Sequence, residues 1–183
     1  MKTSQLALCL GLAASLAGTS AFATTGTVNF EGSITASTCP IEVINPGDNL
    51  VGMPVKMGSV SAARFIAIGH EELGAQFGLR ISGAPGCGIT ATSKAKVTFN
   101  GFPDPTDADY FQVTPGAQGA KGVAIAIKDT SGTAIAPGGT SVEYKLNETG
   151  HSDLLFNALY RSTEAMVTQG TASAAVQFSV DIY

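Results

Sequence analysis

Cysteine, histidine and clustered aspartate are the residues of this chain that could ligate or react, and their spacing limits what they could do. The three cysteines are Cys9, Cys39 and Cys87. Cys9 lies in an apolar, small-residue run from Leu6 to Ala17 that follows Met1-Lys2 and leads to Ser20-Ala21-Phe22-Ala23. A basic start, a short apolar stretch and a small-x-small site describe an export signal. Cleavage is expected after Ala23, so residues 1–23, Cys9 included, leave the mature chain. Bulky Leu8 beside Cys9 argues against a lipidated cysteine. Cys39 and Cys87 remain, with no histidine or further cysteine at ligand spacing, which disfavours a metal centre. An even pair in an exported chain reads as a disulfide. Closing a loop of nearly fifty residues would stabilise the fold by roughly 4 kcal/mol on the chain-entropy model.

His70 precedes Glu71-Glu72, and His151 precedes Ser152-Asp153. Sequence neighbours do not make a nucleophile–base–acid relay, whose roles depend on spatial geometry, so both histidines read as loop residues. Asp104, Asp107 and Asp109 begin like a calcium loop but lack its closing glutamate, and read as a solvated acidic turn. These residues give no catalytic, metal or cofactor site, and the chain reads as a non-enzyme.

The elements around them are strands. The 160 residues from Thr24 to Tyr183 suit one domain with a real core. They carry 9 basic and 14 acidic side chains, a net charge of −5 with neutral histidines. That balance does not suggest a nucleic-acid binder. No stretch has the about 20 apolar residues of a spanning helix, so no membrane insertion is expected. Charged residues make up 13% of the chain, about half the usual share. Period-2 alternation recurs at Val28–Ile34, Phe77–Ile81, Val97–Phe99, Val123–Ile127, Val142–Leu146 and Val176–Ile182, and Leu155–Tyr160 makes a further apolar strand. Leu73–Gln76 admits at most one helical turn between flanking glycines. Turn residues separate the runs at Asn45-Pro46-Gly47-Asp48, Gly83-Ala84-Pro85-Gly86, Asp104-Pro105, Asp129-Thr130-Ser131-Gly132 and Pro137-Gly138-Gly139. Short strands with such breaks read as an antiparallel sandwich.

The segment before Cys39 stands out. Val28, Phe30, Gly32, Ile34 and Ala36 occupy alternating positions, with a glycine on the apolar face. A glycine there weakens a strand and often marks close approach of another surface. On pattern alone it fits an edge strand of its own domain or a strand made for another molecule. This arrangement resembles the chaperone–usher pilins of the type 1 and P pilus kind, over essentially the whole mature chain. The resemblance rests on the alternating segment ahead of Cys39, Met57-Gly58-Ser59-Val60, Phe77-Gly78-Leu79-Arg80-Ile81 before Cys87, Lys121-Gly122-Val123-Ala124-Ile125-Ala126-Ile127 with Asp129-Thr130-Ser131-Gly132, and Phe156-Asn157-Ala158-Leu159-Tyr160. The C-terminus keeps Gly170 fourteenth from the end and Phe178 and Val180 at alternating positions. The penultimate residue, tyrosine in that family, is Ile182 here, with Tyr183 last.

The resemblance implies an all-β fold, an incomplete immunoglobulin-like β-sandwich lacking its final strand. Residues 24–37 would be an N-terminal donor-strand extension and residues 38–183 the pilin domain. It implies polymerisation by donor-strand exchange, in which an extended segment joins an open sheet edge. Val28, Phe30, Ile34 and Ala36 would fill a neighbour's groove, and Gly32 would pass a shallow point. The strand from Gly170 through Phe178, Val180, Ile182 and Tyr183 would line the receiving groove and contact a periplasmic chaperone. The implied partners are neighbouring fimbrial subunits, that chaperone and an outer-membrane usher, with the product at the cell surface. An adhesive tip protein would need a further domain, which 160 residues do not accommodate. A main shaft subunit is the favoured reading. A minor adaptor or terminator, or a secreted β-sandwich binding module or enzyme, are the alternatives.

Overall fold

The computed structural model describes residues 39–52, 54–83 and 87–183. Within them the chain makes nine strands: β1 Ile41–Ile44, β2 Glu71–Ser82, β3 Lys94–Gly101, β4 Phe111–Gln112, β5 Val123–Lys128, β6 Ala134–Ile135, β7 Tyr144–Lys145, β8 His151–Ser162 and β9 Val176–Ile182. They form two antiparallel sheets. One runs β1-β2-β8-β5-β4, with β6 also on β5; the other runs β7-β3-β9. The fold is thus the all-β sandwich that the alternation requires, since a strand with one apolar face must bury it against a second layer.

One apolar core lies between the sheets. Phe156 of β8 sits at its centre, stacked on Phe77 of β2 at 5.5 Å between ring centroids, with the edge of Phe99 of β3 at 5.0 Å and Tyr144 of β7 at 5.6 Å. Phe77 also meets Phe99 edge-on at 6.1 Å. These contacts place β7 and β3 over β8 and β2, so β9, next beyond β3, lies on the side of β1, next beyond β2. Burying such rings is worth about 1.5–3 kcal/mol each.

The expected strands are present at Phe77–Ile81, Val97–Phe99, Val123–Ile127, Leu155–Tyr160 and Val176–Ile182, several of them longer than the pattern showed. Two expectations fail. Leu73–Gln76 is not a helical turn; it lies in β2, where a bulge between Leu73 and Ala75 absorbs Gly74. The one short helical turn described is Ala62–Arg64. Val142–Leu146 shrinks to the two residues of β7, because the Val142 amide is drawn to the Asp129 carboxylate at 3.0 Å. Asp129 is buried and also accepts the amide and hydroxyl of Ser131 at 2.9 and 2.6 Å. Burial pushes its carboxyl up, and these hydrogen bonds outweigh that, holding it below the ordinary value. The turn signal at Asp129–Gly132 is therefore a fixed corner beneath β7.

Candidate functional site

The ladders at one side of the sandwich show where it is open. β3 and β9 pair Phe99 with Phe178, Val97 with Val180 and Ala95 with Ile182. On β3 these inward residues are 2%, 0% and 0% exposed, whereas Phe178, Val180 and Ile182 are only partly buried. The other sheet repeats the contrast. Ile81 and Leu79 of β2 are both 0% exposed, while their β1 partners Ile41 and Val43 are only partly buried. Both edges on the same side thus present core-facing apolar side chains that none of the described residues finishes covering. Most of the other partly buried apolar residues on the core fall along this side too: Val55, Met57 and Val60 after β1, and Val167, Ala172, Ala174 and Val176 before and into β9. Among the described residues no strand pairs the outer edge of β9. Such an edge offers an unpaired row of backbone donors and acceptors.

The groove widens at the start of β9 into a cleft of about 730 Å³, where Gly58–Ala62 and Phe65 face Val167–Ser173 above Val123 and Tyr160. Gly58 turns the chain in the left-handed region, φ 72°, and its carbonyl accepts the Tyr160 hydroxyl at 3.1 Å. Burial raises the Tyr160 phenol above its ordinary value. Gly170 lines this cleft. A Cβ there would strike the backbone of Gln118, Gly119 and Ala120, because residues 171 and 119 form a parallel bridge at that point. Its glycine is thus explained by close approach of two backbones.

At the far end of β9, Ile182 points inward and Tyr183 outward. The Tyr183 amide and carbonyl pair with those of Lys94 at 3.0 and 2.8 Å. Its hydroxyl donates to Glu143 at 2.8 Å, and the same carboxylate receives Lys94 Nζ at 2.8 Å. The Lys94 hydrogen bond first, then that from Tyr183, lowers the Glu143 carboxyl to about 2. The departure from a penultimate tyrosine therefore keeps an apolar residue in the groove and moves the aromatic ring onto a polar outer cluster.

The residues with reactive side chains are scattered. His70 lies beside the edge of Phe65, with its amide on Ser162 Oγ at 3.0 Å, and His151 is exposed where β8 begins, at the opposite end. Asp104 is buried and accepts the amides of Thr106 and Asp107 at 3.0 and 3.1 Å, closing its own turn. No group of three metal-ligating side chains occurs among the described residues. Cys39 and Cys87 are joined in a disulfide, Cα atoms 5.0 Å apart, that ties the approach to β1 to the loop after β2. Val28, Phe30, Gly32, Ile34 and Ala36 lie outside the described residues. Sequence reading assigned no role in a cleft to Val60, Phe65, Tyr160 or Val167, which line it; the Met57–Val60 and Phe156–Tyr160 motifs were its only signals.

The cleft and the disulfide lie at different ends of the sandwich. The long strands β2 and β8 pair from Glu71–Arg161 to Ser82–His151. Tyr160 and Phe65 place the cleft at the first end. The Ser82 amide on the Pro40 carbonyl at 3.4 Å, and the Gly83 amide on the Gly150 carbonyl at 2.7 Å, place the start of the domain at the second. Twelve-residue strands separate these ends by roughly 35 Å.

The family described as fimbrial protein matches residues 28–183. The chain is 34% identical over 155 residues to a probable major fimbrial subunit, LpfA, of Escherichia coli O157:H7, covering 85% of this chain and 82% of that one. It is 35% identical over 176 residues to the protein LpfE of Salmonella typhimurium, covering 94% and 93%. Among solved structures it is similar to an antigen and type I fimbria protein of Burkholderia pseudomallei, at 33% identity and a TM-score of 0.58, covering 86% of this chain and 98% of that one. The P pilus rod subunit PapA shares the fold, with a TM-score of 0.56 at 20% identity, over 72% of this chain and 93% of its own.

Proposed function

The chain belongs to the fimbrial protein family, and from that premise we propose that it is the main shaft subunit of a chaperone–usher fimbria, joined to its neighbours by donor-strand exchange. The observation that carries this reading is the open side of the sandwich, where Phe178, Val180 and Ile182 remain partly buried beside the buried Phe99, Val97 and Ala95 of β3. An extended segment of alternating apolar residues would complete both that layer and the unpaired edge of β9. The chain carries such a segment in Val28, Phe30, Ile34 and Ala36, with Gly32 passing a shallow point. In this reading a periplasmic chaperone first occupies the groove along Gly170–Tyr183, an outer-membrane usher delivers the subunit, and the arm of the next copy replaces the chaperone strand. The fibre supports adhesion at the cell surface, and the role is structural, without catalysis or cofactor.

Gly32→Leu tests the arm. The expected result is a folded, chaperone-bound subunit that forms no fibres by electron microscopy; normal fibres would refute the assignment of Gly32. Electron microscopy of cells with and without the gene, with subunit counting in the fibres of the parent, tests the shaft role. Loss of a shaft subunit abolishes fibres whose mass it dominates in the parent, whereas few copies in the parent's fibres would assign it to an adaptor or terminator.

A further inference from the structure

We propose that Tyr183 is a positioning residue for the groove wall: its hydroxyl, held by Glu143 beside Lys94, pins the end of β9 and sets the register of that end against β3. The contact stands on the structure of the subunit; its use in assembly rests on the donor-strand reading above.

The sequence of β9 leaves its register weakly specified. Ala174, Val176, Phe178, Val180 and Ile182 are all apolar and alternate without a break, and each is only partly buried on the core. A slip of one residue along β3 would turn Gln177, Ser179 and Asp181 to the core, which the apolar face forbids. A slip of two residues keeps every apolar side chain inward, so burial opposes it little. Among the described residues β9 has one ladder neighbour, β3, and the backbone ladder looks the same after a two-residue step. At the cleft end the chain is tied by backbone. The Thr114 amide donates to the Ser173 carbonyl at 2.7 Å, and the Ala120 amide to the Thr171 carbonyl at 2.9 Å. These bonds set where β9 begins. Its other end runs into the last residue, and chain ends fray unless something ties them down.

Tyr183 supplies that tie on the outer face. Its amide and carbonyl exchange bonds with those of Lys94, one step beyond the Ile182–Ala95 pair. Its hydroxyl reaches across β3 and donates to Glu143 at 2.8 Å, where Lys94 Nζ also donates at 2.8 Å and Lys96 Nζ lies at 3.5 Å. The contact thus joins the end of β9 and the start of β3 to the residue that opens β7. Glu143 is held from both sides. The amide of Val142 before it is on Asp129 at 3.0 Å, and the hydroxyl of Tyr144 after it donates to the Leu155 carbonyl of the other sheet at 2.9 Å. Tyr144 and Lys145 are in turn paired with Ala95 and Lys94. A two-residue slip would carry the phenol about 7 Å along the strand, out of reach of Glu143. The side chains therefore distinguish registers that the apolar alternation does not.

Amide hydrogen exchange in the mature subunit, read residue by residue, is the test. Tyr183 and Lys94 are a hydrogen-bonded pair. The antiparallel alternation therefore turns the amides of Asp181, Ser179 and Gln177 to β3, and those of Ile182, Val180 and Phe178 to the open edge. Tyr183→Phe removes only the hydroxyl. It should speed exchange at Asp181 by about twofold to fivefold, the range of an exposed ion-paired contact, with a smaller rise at Ser179 and none at Gln177. Glu143→Ala should act at the same amides. The double variant should match Glu143→Ala alone, because the phenol acts through that carboxylate. Unchanged exchange at Asp181 in Tyr183→Phe, a rise shared equally by Gln177, or effects that multiply in the double variant would each overturn the proposal. The open-edge amides report the donor-strand reading separately. A saturating peptide of residues 24–38 should slow exchange at Phe178, Val180 and Ile182 of the parent, and no slowing there refutes donor-strand exchange whatever the Tyr183 and Glu143 variants show.

Discussion

Phe178→Ala, compared with Phe99→Ala, separates a groove residue from a core residue at matched positions. The two phenylalanines are direct ladder partners. Phe99 is 2% exposed in the free subunit, so an added strand has nothing more of it to bury. Phe178 is only partly buried. Taking about a quarter of a 150–250 Å² side chain as the part still in water, on the order of 50 Å² would remain to be covered. At about 25 cal/mol per Å² that is about 1.2 kcal/mol, close to a tenfold change in donor affinity. Phe178→Ala should therefore weaken binding of a peptide spanning residues 24–38 by fivefold to tenfold. Phe99→Ala should destabilise the subunit by about 3–5 kcal/mol and leave peptide affinity nearly unchanged. The assay is denaturant unfolding with and without saturating peptide, the gap between the curves reporting affinity by linkage. Val180→Ala against Val97→Ala repeats the comparison with a smaller deletion, should Phe99→Ala fail to fold. Equal effects on peptide affinity at the two positions of a pair would refute the inference that the β9 side of the core is completed from outside.

Two further outcomes follow from the ends of the same strand. Gly170→Ala should lower stability by about 1–3 kcal/mol, because a Cβ meets backbone at Gln118–Ala120 that cannot rotate away; an unchanged unfolding midpoint would show that the bridge can open freely. Glu143→Gln should be less stable than the parent at neutral pH. The folded carboxyl is depressed to about 2 by Lys94 and Tyr183, so its contribution is present above the ordinary value near 4.5 and is lost as pH falls from there through about 2. The difference between parent and variant midpoints should close over that window, and a gap that persists at lower pH would assign the effect to packing.

Much of the fold was legible because one face of most strands is buried and the other is not. Val97 and Phe99, or Val176 to Ile182, alternate for that reason, and the period survives in sequence. β2 was read only in its second half. Its first half carries Gly74 and a bulge, which breaks the period where Leu73 turns to solvent and glycine signals look like loop. Residues 142–146 misled in the opposite sense: they alternate, but Asp129 takes the backbone of Val142 away from the ladder. The cleft was the least legible part. Phe65 and Val167 are ordinary apolar residues in irregular segments, about a hundred positions apart, and only the closed sandwich sets them face to face.

An open edge such as that of β9 could in principle recruit another β9 and give a symmetric pair. That pairing would satisfy the backbone ladder, but it would extend the sheet sideways and leave Phe178, Val180 and Ile182 of both copies uncovered on the core side. Ile41 and Val43 on the opposite edge would gain nothing either. A strand lying between β1 and β9 covers both rows at once, and it must bring its own apolar face to do so. On the donor-strand reading proposed above, the half-finished burial on two edges favours a separate, amphipathic segment over self-pairing. Because such a segment has a single polarity, the association that this reading implies grows without closing on itself.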